Sequence, residues 1–170
     1  WNSRIIGTVL TIVQEFFLGY MKRAEKNSHR LKCFYRKRKH MEIIKDITQV
    51  QWNKTSVTLG KFDGVHLGHR MLMENVLQAA TEGCTPTVFT FDMFPSQFLR
   101  HENIASILTE DEKENLLEGL GIERYVLFPF HEKTASMEPE EFVEEILVKT
   151  MKVKELYVGA DFRFGKGRRG

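Results

Sequence analysis

The sequence predicts an α/β fold built on a doubly wound parallel sheet, and three observations carry that expectation. Runs such as Thr87 to Phe91 are apolar or β-prone throughout rather than on alternate positions, the pattern of strands covered on both faces. Between them lie stretches of about 10–15 residues with helical apolar spacing, so strands and helices alternate. Glycines fall where those helices stop, at Gly83 and Gly121.

Each element has a local reason. A strand pattern follows Met41 at once, and Val57-Thr-Leu-Gly60 is a short β-prone run closed by glycine, ahead of the turn signal Phe62-Asp63-Gly64. From Leu67 to about Thr81, the residues Leu72, Met73, Val76, Leu77 and Ala80 repeat at helical spacing. Thr87 to Phe91 is a further buried strand, ended by the loop Asp92 to Ser96. Thr109 and Glu112 read as a capping box ahead of Leu116, Leu117 and Leu120. Tyr125 to Phe130 is the next strand, Pro139 opens a helix through Phe142, Val143, Ile146 and Leu147, and Leu156 to Val158 is the last strand. In such sheets ligands sit beyond the C-terminal strand ends, so the loops 60–69, 92–97 and 159–165 are the candidate site.

Composition sets the bounds. The chain has 170 residues, 42% apolar and 28% charged, which is enough for one buried core and excludes a disordered, collagen-like or disulfide-scaffold protein. Cys33 and Cys84 lack metal-site spacing, so a reduced, cytoplasmic compartment is expected. Residues 1–40 carry ten Lys/Arg against two Glu, a net charge of +8, whereas residues 41–170 are net −6. The basic run Lys22 to His40 fits a nucleic-acid or membrane patch, and Ile5, Val9, Ile12, Val13 and Phe16 fit an amphipathic anchor. The reading preferred is upstream sequence in frame with a protein that starts at Met41, because the chain opens on Trp1 and a strand follows Met41 directly. The 16-residue run Ile5 to Tyr20 is interrupted by Gln14 and Glu15 and is short for a span of roughly 20 residues. No nucleic-acid or membrane partner is therefore expected.

The densest cluster of chemistry-bearing residues is Gly60-Lys-Phe-Asp-Gly-Val-His-Leu-Gly-His69. Gly60, Gly64 and Gly68 permit tight turns, and the loop leads into a helix N-terminus, whose amides favour an anion. His66 and His69 are three apart, so both imidazoles can face one bound group and donate to phosphate oxygens. A packing or capping role is the bland alternative for His69, but two His framing a Gly in such a loop favour phosphate chemistry. The spacing is neither a Walker A loop nor Gly-x-Gly-x-x-Gly, which weighs against kinase and hydride-transfer activities.

His66-Leu-Gly-His69 resembles the signature of the HxGH nucleotidyltransferases, and the string Gly60 to His69 resembles the FMN adenylyltransferase module of bacterial bifunctional riboflavin kinase/FAD synthetases. Phe89-Thr-Phe-Asp-x-x-Pro95, Glu138-Pro-Glu-Glu-Phe142 and Val158-Gly-Ala-Asp-Phe-Arg-Phe-Gly165 resemble further segments of that family, in the same order, so the resemblance covers nearly all of 41–170. It implies a Rossmann-like, HUP-type nucleotidyltransferase fold that transfers AMP from ATP to FMN, giving FAD and pyrophosphate, with Mg²⁺ on the phosphates. His66 and His69 would then be catalytic, and Gly60, Phe62, Asp63, Gly64, His66, Gly68 and His69 would bind ATP. Phe91, Met93, Pro95, Asp161 and Phe164 would bind the flavin, Asp161 by a hydrogen bond or by orienting a metal-bound water, and no residue is assigned as a direct metal ligand.

The sequence departs from the family pattern at Lys61, commonly Asn, and at Met93-Phe94-Pro95, often Pro-His-Pro. The family's Ser/Thr-x-x-Arg segment and the riboflavin kinase domain are expected after Gly170, so the sheet domain is expected to be incomplete at that end. His101 and His131 read as surface residues, and the acidic run Glu138 to Glu145 as the solvated start of a helix. The alternatives are another HxGH enzyme with a different phosphate acceptor, a truncated and catalytically weak nucleotide-binding fragment, and a non-catalytic binding protein that uses residues 22–40.

Overall fold

A computed structural model describes residues 40–93, Phe98 and residues 106–170. The expectations for residues 1–39, Pro95 and His101 lie outside the described residues.

Five strands form one sheet: β1 (Glu42–Ile44), β2 (Thr55–Leu59), β3 (Thr85–Phe91), β4 (Arg124–Phe128) and β5 (Val153–Val158). Their spatial order is β1-β4-β3-β2-β5 and every pairing is parallel. Helix α1 (Leu67–Ala79) connects β2 to β3, and α2 (Glu110–Leu120) precedes β4. The short α3 (Glu132–Ser136) and then α4, with an α-helical first turn Pro139–Glu141 and a π-helical remainder Phe142–Thr150, lead to β5.

The expected strands and helices are all present, with ends displaced by one to three residues. β5 starts earlier than its apolar run, at Val153, because ladder bonding to β2 extends past the residues that patterning marks. β3 starts at Thr85 and includes Pro86, a residue that masks a strand start in sequence. The capping box is formed: Glu112 N–H donates to Thr109 Oγ1 at 3.2 Å, and Thr109 N–H donates to the Glu112 carboxylate at 2.9 Å. Gly83 and Gly121 close their helices in the left-handed conformation.

Alternation within the strands divides the core into two layers. Val88, Tyr125 and Leu127 point toward α1 and α2, where they pack with Met73, Val76 and Leu117. Val57, Leu59, Phe89, Val126 and Phe128 point the other way, onto Phe142, Leu147 and Met151 of α4 and the turn after it. Both faces of β2 are thus covered, and all five of its residues are buried. Two of its polar members are satisfied locally, Ser56 Oγ donating to the Val76 carbonyl and Thr55 Oγ1 to the Met151 carbonyl, each at 2.9 Å, whereas the buried Thr58 Oγ1 has no partner among the described residues.

From β2 the chain steps through β3 to β4 in one direction, then crosses back to place β5 on the other side of β2. The direction of winding therefore reverses between β2 and β5, which is the crevice where such sheets take ligands. Among the described residues, no helix is long and apolar enough to cross a membrane.

Candidate functional site

The loop from Gly60 to His66 leaves β2 at this crevice. It contains three positive-φ residues within four positions: Phe62 at 48°, Gly64 at 84° and Val65 at 34°. A β-branched residue at such a φ is strained by about 1–3 kcal/mol and persists only where the surroundings over-determine it. Here burial does so, since the Phe62 side chain is fully buried and Val65 is 3% exposed, both in the layer under α1.

Asp63 fastens the same loop. Its Oδ1 accepts from Ile107 N–H at 2.7 Å, Ser106 Oγ at 3.0 Å and Leu108 N–H at 3.4 Å, and its Oδ2 lies 3.5 Å from Lys61 Nζ. Burial alone would raise the Asp63 pKa, but these hydrogen bonds and the Lys61 charge outweigh it and hold the carboxyl below its ordinary value.

His66 is the N-cap of α1 and makes no side-chain capping bond, so the first-turn amides keep their outward donor capacity at the positive end of a 13-residue helix. The His66 and His69 rings stack, with centroids 3.7 Å apart and planes 23° from parallel. Gly68 permits this, since a Cβ there would stand 3.3 Å from His66 Nδ1 and Cε1. Phe62 supports the pair from below, edge-on to His69 at 5.0 Å. Burial and the neighbouring His66 push the His69 pKa below its ordinary value, while Asp161 and Asp63 pull it up less strongly, so His69 is neutral near pH 7. Its Nδ1 is buried and has no hydrogen-bond partner within the protein.

The loop after β5 supplies the facing wall. Phe162 and Phe164 stack at 6.0 Å, and Phe164 leans on Phe142 at 5.6 Å. Asp161 is exposed at the end of β5 and acts electrostatically on His69, which ties this loop to the imidazole pair. The loop is held at its far end, where Lys166 N–H donates to the Met137 carbonyl at 2.9 Å and Glu138 pairs with Lys166 at 3.5 Å and with Arg169.

The structure brings Gly60, Gly64, His66, Gly68 and His69 into one loop and helix start, with Asp161 across from them. It treats other expected residues differently. The Phe62 ring lies in the core, so only its backbone can face a nucleotide, and the Asp63 carboxylate is committed to the loop's own fastening. Phe91 is half-buried in an aromatic cluster with Phe89, Phe128, Phe130 and Phe142, which favours a packing role for its ring. Met93 is 43% exposed. His131 is exposed, as expected, but also caps α3 by accepting from Thr134 N–H at 3.3 Å. Ser106, Ile107 and Leu108 were invisible as partners of the loop because they lie 43–45 residues away from Asp63.

Among the described residues, no group of three or more His, Cys, Asp or Glu is placed to hold a metal ion. The side chains present therefore build no cage for Mg²⁺ there.

Comparison with known proteins agrees with this geometry. Residues 48–170 match the FAD synthetase family. Bifunctional riboflavin kinase/FMN adenylyltransferases are similar: that of Escherichia coli K12 is 33% identical over 75% of this chain and 41% of its own length. The Bacillus subtilis protein is 36% identical over 69% of this chain and 38% of its own length, and a Buchnera aphidicola protein 31% over 76% and 43%. The chain thus spans about two fifths of the curated relatives it matches. A solved structure from Streptococcus pneumoniae, described as a macrolide-efflux protein, superposes with a TM-score of 0.65 at 29% identity, covering 74% of this chain and 50% of that one. With a loop of this geometry at the switch point of a parallel sheet, and a family match over 48–170 that includes it, the chain belongs to the FAD synthetase family.

Proposed function

We propose that this chain transfers AMP from ATP to FMN, giving FAD and pyrophosphate, as the N-terminal module of a bifunctional riboflavin kinase/FMN adenylyltransferase in the cytoplasm. The observation that carries this reading is the stacked His66–His69 pair at the uncapped N-terminus of α1, in a chain of the FAD synthetase family. A riboflavin kinase domain follows in the full-length protein, and neither nucleic acid nor membrane takes part. Mg²⁺ would enter with the nucleotide, neutralising charge on its phosphates.

The chemistry needs no protein nucleophile, because the flavin phosphate is one. A phosphate oxygen of FMN forms a bond to the α-phosphorus of ATP as the bond from that phosphorus to the bridging oxygen breaks, and pyrophosphate leaves with the electron pair. Negative charge grows on the α-phosphate and on the departing pyrophosphate. His66, His69 and the first-turn amides of α1 donate hydrogen bonds to those oxygens, and a neutral His69 can do so through one ring N–H. Gly60, Gly64 and Gly68 let the phosphates approach the backbone, with Phe62 and Asp63 shaping the loop from within. Asp161, Phe164 and Met93 form the flavin side and Phe91 backs it; Pro95 is assigned to the flavin from the sequence alone.

The test is FAD formation from FMN and ATP by the full-length protein. His66→Ala and His69→Ala should each lower turnover by about a hundredfold or more, the cost of losing one well-placed donor, with unchanged circular dichroism. Unchanged turnover in both variants would refute the assignment, and equal turnover of phosphopantetheine would move it to another HxGH activity.

A further inference from the structure

Asp63 is the most heavily engaged side chain of the site, yet its contacts all run to the protein. One oxygen, Oδ1, takes two main-chain N–H donors and a hydroxyl from the segment Ser106–Leu108, which leads into α2. The carboxylate is 8% exposed. The loop it fastens is the strained one, with Phe62 and Val65 on the positive side of φ on either side of Asp63-Gly64. Ile107 follows the same contact by packing over Gly64, where an added Cβ would lie 3.4 Å from its Cδ1.

We infer that Asp63 is a positioning residue that works as a hydrogen-bond acceptor, tying the phosphate loop after β2 to the 106–108 segment so that His66 and His69 are held in their stack. This rests on the adenylyl-transfer reading above for its kinetic consequence, though not for its structural one. A residue that worked by charge, on a nucleotide or a cation, would present its oxygens to the crevice. Asp63 instead directs Oδ1 at three donors and Oδ2 at Lys61. The acceptor is what the loop needs: the amides of Ile107 and Leu108 lie at a loop-to-helix junction with no strand to bond to, and Oδ1 accepts from both.

The two roles separate under substitution. Asp63→Asn keeps a carbonyl oxygen in the Oδ1 position while it removes the charge and turns the Oδ2 that faces Lys61 into an amide NH2, whereas Asp63→Ala removes the acceptor for the 106–108 donors. In the full-length protein, D63N should retain kcat within about tenfold of wild type, since a charge-assisted bond is only about twice as strong as a neutral one. D63A should lose about a hundredfold in kcat, the penalty of displacing donors by about 1 Å. Ser106→Ala should lower kcat in the wild-type background but add nothing in D63A, because the hydroxyl acts only through this oxygen. Hydrogen exchange of the Ile107 and Leu108 amides supplies a readout independent of activity. It should accelerate in D63A and stay near wild type in D63N. D63N as inactive as D63A would overturn the acceptor role, and so would unchanged exchange at 107–108 in D63A. If the wild-type protein makes no FAD, the adenylyl-transfer reading fails alone, and the exchange result still decides whether Asp63 is the fastening.

Discussion

The two loops that face each other across the crevice are held by different physics. The loop after β2 is fixed from within, by the buried Phe62 and Val65 side chains and by a mostly buried carboxylate with three donors. The loop after β5 is fixed from outside, by aromatic packing on α4 and by ion pairs from Glu138 to Lys166 and Arg169, all of which are 45–60% exposed. The difference fits what each would do under the proposed adenylyl transfer. Donors to a developing charge must be preorganised in water-poor surroundings, whereas a flat apolar ring needs only a surface of the right shape. The inner loop therefore tolerates little change in hydrogen bonding, and the outer one little change in shape.

The largest effect expected from that contrast comes from two glycine substitutions. Gly165 has φ +70°, and a Cβ there would lie 2.7 Å from Pro139 Cγ and 2.9 Å from the Pro139 backbone nitrogen, at a turn that cannot move without shifting α4. Gly64 has φ +84°, but its Cβ would meet only the Ile107 side chain, at 3.4 Å or more, in ordinary van der Waals contact with a residue 75% exposed. Gly64→Ala should cost about 1–2 kcal/mol, the left-handed penalty alone. Gly165→Ala should cost that plus about 1–3 kcal/mol of overpacking, and should raise the KM for FMN while that for ATP stays near wild type. Urea unfolding and the two KM values check this. Equal destabilisation by both, or a KM change confined to ATP, would break the contrast between the loops.

How much of this was legible in the sequence divides along the same line. The parallel sheet, its covered strands, both left-handed helix stops and the Thr109–Glu112 box were readable because each depends on residues close in sequence. The His pair was readable for the same reason, three positions apart on one helix start. What closes the loops was not. Asp63 and its donors are separated by more than forty residues that include α1 and β3, so Asp63-Gly64 read as a turn with a ligand contact rather than as a fastening. Glu138 read as a solvated helix residue, although it is the anchor for Arg169. The π-helical winding of Phe142–Thr150 was equally hidden. Phe142, Val143, Ile146 and Leu147 show an ordinary helical stripe, and only the five-residue steps, such as Met151 N–H to the Ile146 carbonyl at 2.9 Å, reveal the wider turn.

A smaller effect sharpens the comparison at the imidazoles, which feel both loops. Burial and His66 keep the His69 pKa below about 6.5, while Asp161 and Asp63, one from each loop, work against that. A histidine depressed in the folded state adds stability above its unfolded pKa. That contribution is lost as pH falls from about 6.5 through the lower folded value, because the unfolded chain takes up the proton first. The difference in urea midpoint between wild type and His69→Gln should therefore shift against wild type as pH falls through that window, and should be constant above pH 7. Asp161→Asn removes the outer loop's share and should move the window lower. A midpoint difference flat with pH would show that His69 titrates as though it were exposed.

The smallest effect belongs to the exposed clamp. Glu138→Gln removes the charge that faces Lys166 and Arg169 but leaves the Lys166 N–H to Met137 bond and the Phe164–Phe142 contact in place. Pairs of this exposure contribute about 0.2–1 kcal/mol, so the KM for FMN should rise by no more than about fivefold. Because the pairs are screened, the wild-type and E138Q values should converge as salt approaches about 1 M, where the Debye length is only about 3 Å. The inner loop predicts the opposite behaviour: the kcat deficit of D63A should persist at the same salt, since a mostly buried hydrogen-bonded carboxylate is screened far less. A salt series on the two variants side by side therefore separates a loop held by charge at the surface from one held by acceptors beneath it, and loss of the E138Q effect without loss of the D63A effect is the outcome this structure requires.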